Sequence, residues 1–311
     1  MLKTEPFGTS TAKIVYSKNE QSILGLPTQE VLEMFESFGA LLFRGFGVTY
    51  KEMREFSAKF SSKFVRDTSR QTIDDFVQLV NNGTDEVLPH SENSGSPFQP
   101  DLVWFCCGVP AAQDGETILL DGVKVWQQLD KSVKQLFLSQ RIKYEYNFEA
   151  KHWKLFFGSE TTIADVKQTL NNIKDVNYQI KEDESICFKY TCPAVVKTKF
   201  GARYAFANSI ISYYQEPLLS EKPEVSDEVN FDKTDFKPKT KGDRGIVYFE
   251  DGSPIPKATI DAIKGVMAQL TDKILWQTGD LIMIDNSRFL HGRRAFQDEQ
   301  RLIYTHLSYL K

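Results

Sequence analysis

Apolar residues recur along this chain at two spacings, and the switches between them outline its elements. After Pro27 and Thr28, the residues Val31, Met34, Phe35 and Phe38 fall at helical intervals, and Gly39 supplies a C-terminal stop. The apolar run at 41–43 reads as a buried strand ending at Gly45. A capping-box pattern from Thr49 to Glu52 opens a second helix, whose apolar face is expected to run through Met53, Phe56, Phe60 and Phe64. Residues 76–80, 101–108 and 117–120 read as strands, and Asp121 and Asp130 as successive N-caps of short amphipathic helices.

From Arg141 to Phe148 the alternation is strict. Ile142, Tyr144, Tyr146 and Phe148 share one face while charged or amide residues take the other, which predicts a half-buried antiparallel strand. A helix at 163–173, a hairpin at 178–190 and strands at 194–199 and 203–206 follow. Beyond residue 246 come a strand and a helix with Ile260, Ile263, Met267 and Leu270 on one side. Strands at 281–285 and 302–307 flank His291. Residues 216–244 break the pattern, being charged, proline-containing and aperiodic, as expected of a lid or an insertion. Many short strands with a few peripheral helices predict a mainly β sandwich or barrel.

Composition narrows the partners more than the fold. A length of 311 residues allows one large domain or two small ones. The 23 phenylalanines imply an aromatic-rich core. A formal net charge of −4 argues against a nucleic-acid surface. Residues 1–15 lack the apolar core of a signal peptide, and no run reaches the ~20 apolar residues that span a bilayer, so no membrane partner and a cytoplasmic location are expected. Cys106 and Cys107, adjacent on a strand, point to opposite faces. Cys187 and Cys192 could meet across a hairpin, with buried free thiols the favoured reading.

The chemistry concentrates in two places. His90 and Glu92 are two apart, and on an extended strand such residues project from one face, so imidazole and carboxylate can converge. Far downstream lies His291, followed by Arg301. Two His and one carboxylate form the facial set of non-haem Fe(II) sites, which leaves other iron positions open. An arginine suits a second task, gripping a carboxylate through two parallel bonds. The chain has only 4 His, so two of them falling in this pattern is less easily chance. The other two, His152 and His306, read as a surface or packing residue and as one facing away from Arg301.

Leu42-Phe43-Arg44-Gly45-Phe46, the His90/Glu92 pair, Asp114-Gly115-Glu116-Thr117, Gly252-Ser253-Pro254-Ile255, Trp276-Gln277-Thr278-Gly279-Asp280, Asp285-Asn286 and His291-Gly292-Arg293 ending in Arg301 occur in one order. Together they resemble the taurine dioxygenase / clavaminate synthase-like superfamily of Fe(II)/2-oxoglutarate oxygenases, from about Leu41 to the C-terminus. One departure is that many relatives use Asp where this chain has Glu92. The resemblance implies a double-stranded β-helix, a cupin-like jelly roll, in a single oxygenase domain over 1–311. It implies Fe(II) held by His90, Glu92 and His291, and 2-oxoglutarate held by Arg301 with help from the Thr117 hydroxyl. It also implies O2-dependent hydroxylation, or desaturation, of an unactivated C–H bond. Relatives with Glu as ligand often act on amino acids or secondary metabolites derived from them, so a small polar, amino-acid-like substrate is expected, with Arg66, Arg70 and Arg293 as candidate contacts. A carrier-protein-tethered substrate and a non-catalytic cupin-type binding protein are the alternatives.

Overall fold

The computed structural model describes residues 2–18, 21–67, 70–80, 83–157, 160–215, 245–298 and 300–311, so the lid or insertion expected at 216–244 lies outside the described residues. Two sheets face each other. The larger runs in the order Lys3–Pro6, Lys13–Tyr16, Ala40–Arg44, Leu281–Asp285, Leu102–Val109, Leu302–Leu310, Val77–Leu79 and Thr72–Asp74, with Ser61–Val65 also paired to Leu302–Leu310. The smaller runs Asp272–Ile274, Thr117–Asp121, Phe289–Arg293 and Val87–His90. A third sheet, Val176–Ile180, Ile186–Pro193, Arg141–Phe148 and Ile246–Phe249, stands beside them. The paired sheets form the jelly roll.

Alternation along the core strands assigns every side chain to a layer. Leu42, Val103, Phe105, Cys107, Ile282 and Ile284 of the larger sheet meet Leu119 and Phe289 of the smaller one in the space between them. Leu41, Phe43, Trp104, Cys106, Leu281 and Met283 point the other way, under the helices Thr28–Phe38 and Tyr50–Ala58. Ile118, Leu120 and Leu290 pack outward beneath Gly122–Gln128, Lys131–Ser139 and Lys257–Leu270. Because both faces of these strands are covered, they read as unbroken apolar runs, and each fully buried large side chain contributes about 1.5–3 kcal/mol. Phe289 points between the sheets, so the same alternation sends His291 and Arg293 there too. Thr117 goes inward beside Leu119.

Several expectations need correction. The second helix ends at Ala58. Ser61–Val65 instead pairs with Leu302–Leu310, and Phe64 stacks on His306 at 4.0 Å between ring centroids, so long-range pairing overrides the local helical spacing. Asp121 caps its helix by accepting from the Val123 amide at 3.0 Å, whereas the Asp130 side chain makes no capping bond. Cys187 and Cys192 lie on one strand, Ile186–Pro193, rather than across a hairpin, and all four cysteines are free thiols. His291 sits on its own strand, Phe289–Arg293.

Candidate active site

The smaller sheet brings the two histidines together. His291 pairs in register with His90 on one side and with Leu119 on the other, and the imidazole centroids lie 4.5 Å apart. Gly292 permits this, because a Cβ there would stand 2.4 Å from the Val87 carbonyl oxygen of the neighbouring strand. His90 is the last residue of its strand. Glu92 therefore lies beyond the strand, in a tight turn whose next residue, Asn93, has φ 53°. Convergence of Glu92 with the histidines is achieved by this turn and not by strand alternation.

Asn286 anchors the turn. Its Oδ1 accepts from the Glu92 amide at 2.8 Å, while its Nδ2 donates to the Glu92 carbonyl at 2.9 Å and to the Pro100 carbonyl at 2.8 Å. Both halves of the side-chain amide are used on backbone, so the Glu92 main chain has one position. Asn286→Ala is expected to weaken metal binding roughly 10–100-fold, as loss of a group orienting a ligand typically does. Titrating Fe(II) anaerobically into the variant measures this, and wild-type affinity would remove Asn286 from that role.

One ligand atom from each of His90, Glu92 and His291 lies within 4.8 Å of the others. His291 Nε2 is 3.4 Å from Glu92 Oε2, and neither imidazole nitrogen of His291 has a hydrogen-bond partner although the residue is buried. His90 Nδ1 faces the Leu88 carbonyl at 2.8 Å. A carbonyl only accepts, so Nδ1 carries the proton and Nε2 keeps its lone pair. Burial, and then the neighbouring His291, push the His90 imidazole down to about 4, which keeps it neutral near pH 7. Burial alone would raise the Glu92 carboxyl, but Arg70, followed by His291, holds it well below the usual carboxylate range. Arg70 Nη2 reaches both carboxylate oxygens, at 3.1 and 3.0 Å, and its Nε lies 3.2 Å from Asp67. Two imidazoles, that of His90 neutral, and an ionised carboxylate, turned toward one point, fit a divalent transition metal.

The same cavity has an anionic-ligand end, because it is lined by Arg301 and Thr117 as well as by the histidines. Arg301 Nε donates to the Gly115 carbonyl at 3.0 Å and Nη2 approaches Thr117 Oγ1 at 3.5 Å, while the buried Nη1 has no hydrogen-bond partner. Phe296 lies under the guanidinium at 5.3 Å. No carboxylate among the described residues pairs with Arg301. Burial, and then the nearby Arg293, lower its affinity for its proton to about 10, still cationic at neutral pH.

Other expected contacts divide. Arg70 and Arg293 line the cavity. Arg66 does not: it is exposed, donates to the Asp75 carbonyl at 3.0 and 3.2 Å, and stacks on Phe76. Arg294 reaches out to Glu86 at 3.3 Å. His306 is buried outside the cavity, with Nδ1 2.9 Å from Ser57 Oγ. Three contributors escaped the sequence reading. Asn286 and Trp276 stood inside quoted motifs without a role, and the Gly115 carbonyl has no side-chain signature.

The family model described as taurine catabolism dioxygenase TauD, TfdA family, matches residues 3–307. The chain belongs to this family. It is an Fe(II)/2-oxoglutarate-dependent oxygenase, with Fe(II) as cofactor and 2-oxoglutarate and O2 as co-substrates. The oxygenase is 24% identical over 281 residues to the dapdiamide synthesis protein DdaC of Enterobacter agglomerans, covering 86% of this chain and 82% of that protein. Two solved structures share the fold across the whole chain. AAD-2, in complex with Mn(II) and N-oxalylglycine, superposes with a TM-score of 0.61 at 14% identity, covering 100% of this chain and 97% of that one. PvcB from Pseudomonas aeruginosa superposes at 0.60 and 13% identity, covering 99% and 91%. Among the described residues no helix of the oxygenase is long and apolar enough to cross a membrane.

Proposed function

We infer that this oxygenase hydroxylates, or desaturates, an unactivated C–H bond of a small polar, amino-acid-like substrate in secondary metabolism. The observation that carries the reading is one cavity lined both by His90 and His291 of the His90/Glu92/His291 cluster and by a buried Arg301 whose Nη1 donor is unused. His90, Glu92 and His291 hold the iron, and Arg301 with Thr117 holds the distal carboxylate of 2-oxoglutarate. Bound Fe(II), with 2-oxoglutarate and O2, supplies the oxidising power that breaks the C–H bond. The protein positions the substrate. Burial of Glu92 and His291, with Phe105 packed edge-on against His291 at 5.1 Å, keeps water from the reacting centre.

Arg70, buried against Glu92 at the cavity wall, is the proposed contact for a substrate carboxylate, with Arg293 the second. Arg66 drops out because it stands outside the cavity. The substrate class is supported by the likeness to DdaC, a dapdiamide synthesis protein, and to PvcB, described as an Fe, alpha-ketoglutarate dependent oxygenase from an isonitrile synthetic pathway. The proposal takes 1–311 as one oxygenase domain in the cytoplasm, in keeping with four free thiols.

Screening amino acids and their derivatives, free and carrier-tethered, for perturbation of the Fe(II)/2-oxoglutarate charge-transfer band identifies the substrate and its form. Product mass in chloride-containing buffer then tests the reaction. Because Glu92 occupies the position that related halogenases free for halide, a gain of one oxygen or a loss of two hydrogens is expected. A chlorinated product overturns the assignment of Glu92.

A further inference from the structure

Thr117 has one hydroxyl proton and two lone pairs on Oγ1, and the structure shows what meets the lone pairs. Trp276 Nε1 donates to Oγ1 at 3.0 Å, and Arg301 Nη2 approaches the same oxygen at 3.5 Å. An indole N–H and a guanidinium N–H are donors only. Thr117 Oγ1 therefore accepts from both, and its own proton points away from both. The residue is buried, with 5% of its surface exposed, and lines the cavity shared with Arg301 and His291. The Arg301 Nε is already spent on the Gly115 carbonyl, which leaves the Nη1 donors unused. Two donors of different elements, the Thr117 O–H and the Arg301 Nη1–H, are thus left for one ligand.

We propose that Trp276 is a positioning residue for 2-oxoglutarate: its indole N–H occupies a lone pair of Thr117 and turns the hydroxyl into an obligate donor toward the distal carboxylate. Without it, Thr117 is free to rotate and present a lone pair to an anion, which repels it. The indole follows directly on a strand that is paired beside Thr117. Ile274, two residues before Trp276, pairs in register with Thr117, and Trp276 packs against the core between the sheets. The ordered hydroxyl also stabilises Arg301 in the one direction its fork has left. The effect is on affinity for the co-substrate, since the His90/Glu92/His291 set lies on other residues.

This inference rests on the assignment of Arg301 and Thr117 to 2-oxoglutarate, and the test separates the two. Anaerobic Fe(II)-loaded protein is titrated with 2-oxoglutarate, following the charge-transfer band, for wild type, Trp276→Phe, Thr117→Val and the double variant. Trp276→Phe is expected to raise the 2-oxoglutarate Kd about 5- to 10-fold, the scale of one ordered hydrogen bond, and to leave the Fe(II) Kd unchanged. In the Thr117→Val background the same change should have no further effect. Benzothienylalanine at 276, which keeps the ring shape and replaces N–H by sulfur, should reproduce the loss. A Kd equal to wild type in Trp276→Phe, a wild-type Kd with benzothienylalanine, or an undiminished loss in the Thr117→Val background overturns the role of Trp276. Absence of any 2-oxoglutarate band in wild type instead overturns the reading of the cavity itself.

Discussion

His291→Ala is expected to abolish Fe(II) binding, and with it 2-oxoglutarate turnover, while the fold survives. Loss of a group that merely orients a ligand costs roughly 10–100-fold in metal affinity, so loss of the ligand itself should exceed that. The fold should tolerate the change for a stated reason. His291 is 3% exposed, yet neither ring nitrogen has a hydrogen-bond partner, the nearest polar group being Glu92 Oε2 at 3.4 Å from Nε2, so truncation breaks no hydrogen bond. What it gives up is packing against Phe105 and His90. Iron content and the melting temperature of the metal-free protein measure the two effects separately, and wild-type iron content in the variant would sink the assignment. His90→Ala should behave alike, less the bond to the Leu88 carbonyl. Glu92→Ala is the poorer test, because it strips Arg70 of a buried partner and destabilises the protein whether or not a metal is involved. Glu92→Asp shortens the side chain by a methylene and should weaken the site rather than preserve it.

Arg301→Gln should raise the 2-oxoglutarate Kd about 10- to 150-fold, the equivalent of about 1.5–3 kcal/mol for charge-assisted hydrogen bonds to a carboxylate. The same substitution should leave the ligand-free protein as stable as wild type or more so. Arg301 is a buried cation with no carboxylate partner among the described residues and an unused Nη1, so its charge is poorly compensated until a ligand arrives, in keeping with a proton affinity lowered by burial and then by Arg293. A binding loss coupled to a stability gain is a signature that a surface ion pair would not give. Arg301→Lys keeps the charge but loses the fork that serves the Gly115 carbonyl and Thr117 together, so it should recover only part of the affinity. Isothermal titration with 2-oxoglutarate and thermal melting of the apo protein give both readouts. An unchanged Kd would move the role to another cation of the cavity, with Arg293 first in line.

Read from sequence alone, the chain determines its covered strands and its inward chemistry to different depths. The runs at 41–43, 102–107 and 281–284 are legible because strands covered on both faces must be apolar throughout, a local demand. The strict alternation of Arg141–Phe148 is legible for the complementary reason, and so are His90, His291 and Arg301, whose residue types and order carry the resemblance. What depends on register across distant strands is not local. Glu92 sits in a turn held by Asn286, 194 positions away, and Trp276 meets Thr117 across 159 positions. Phe64, spaced for a helix, is drawn into a strand by Leu302–Leu310. Arg66 and Arg70 are indistinguishable as types, yet only Arg70 reaches the cavity, because its guanidinium meets Asp67 and Glu92 while that of Arg66 is held at Asp75 and Phe76. Side-chain periodicity states which face a residue takes, and only the pairing of sheets states what stands on the other side of that face.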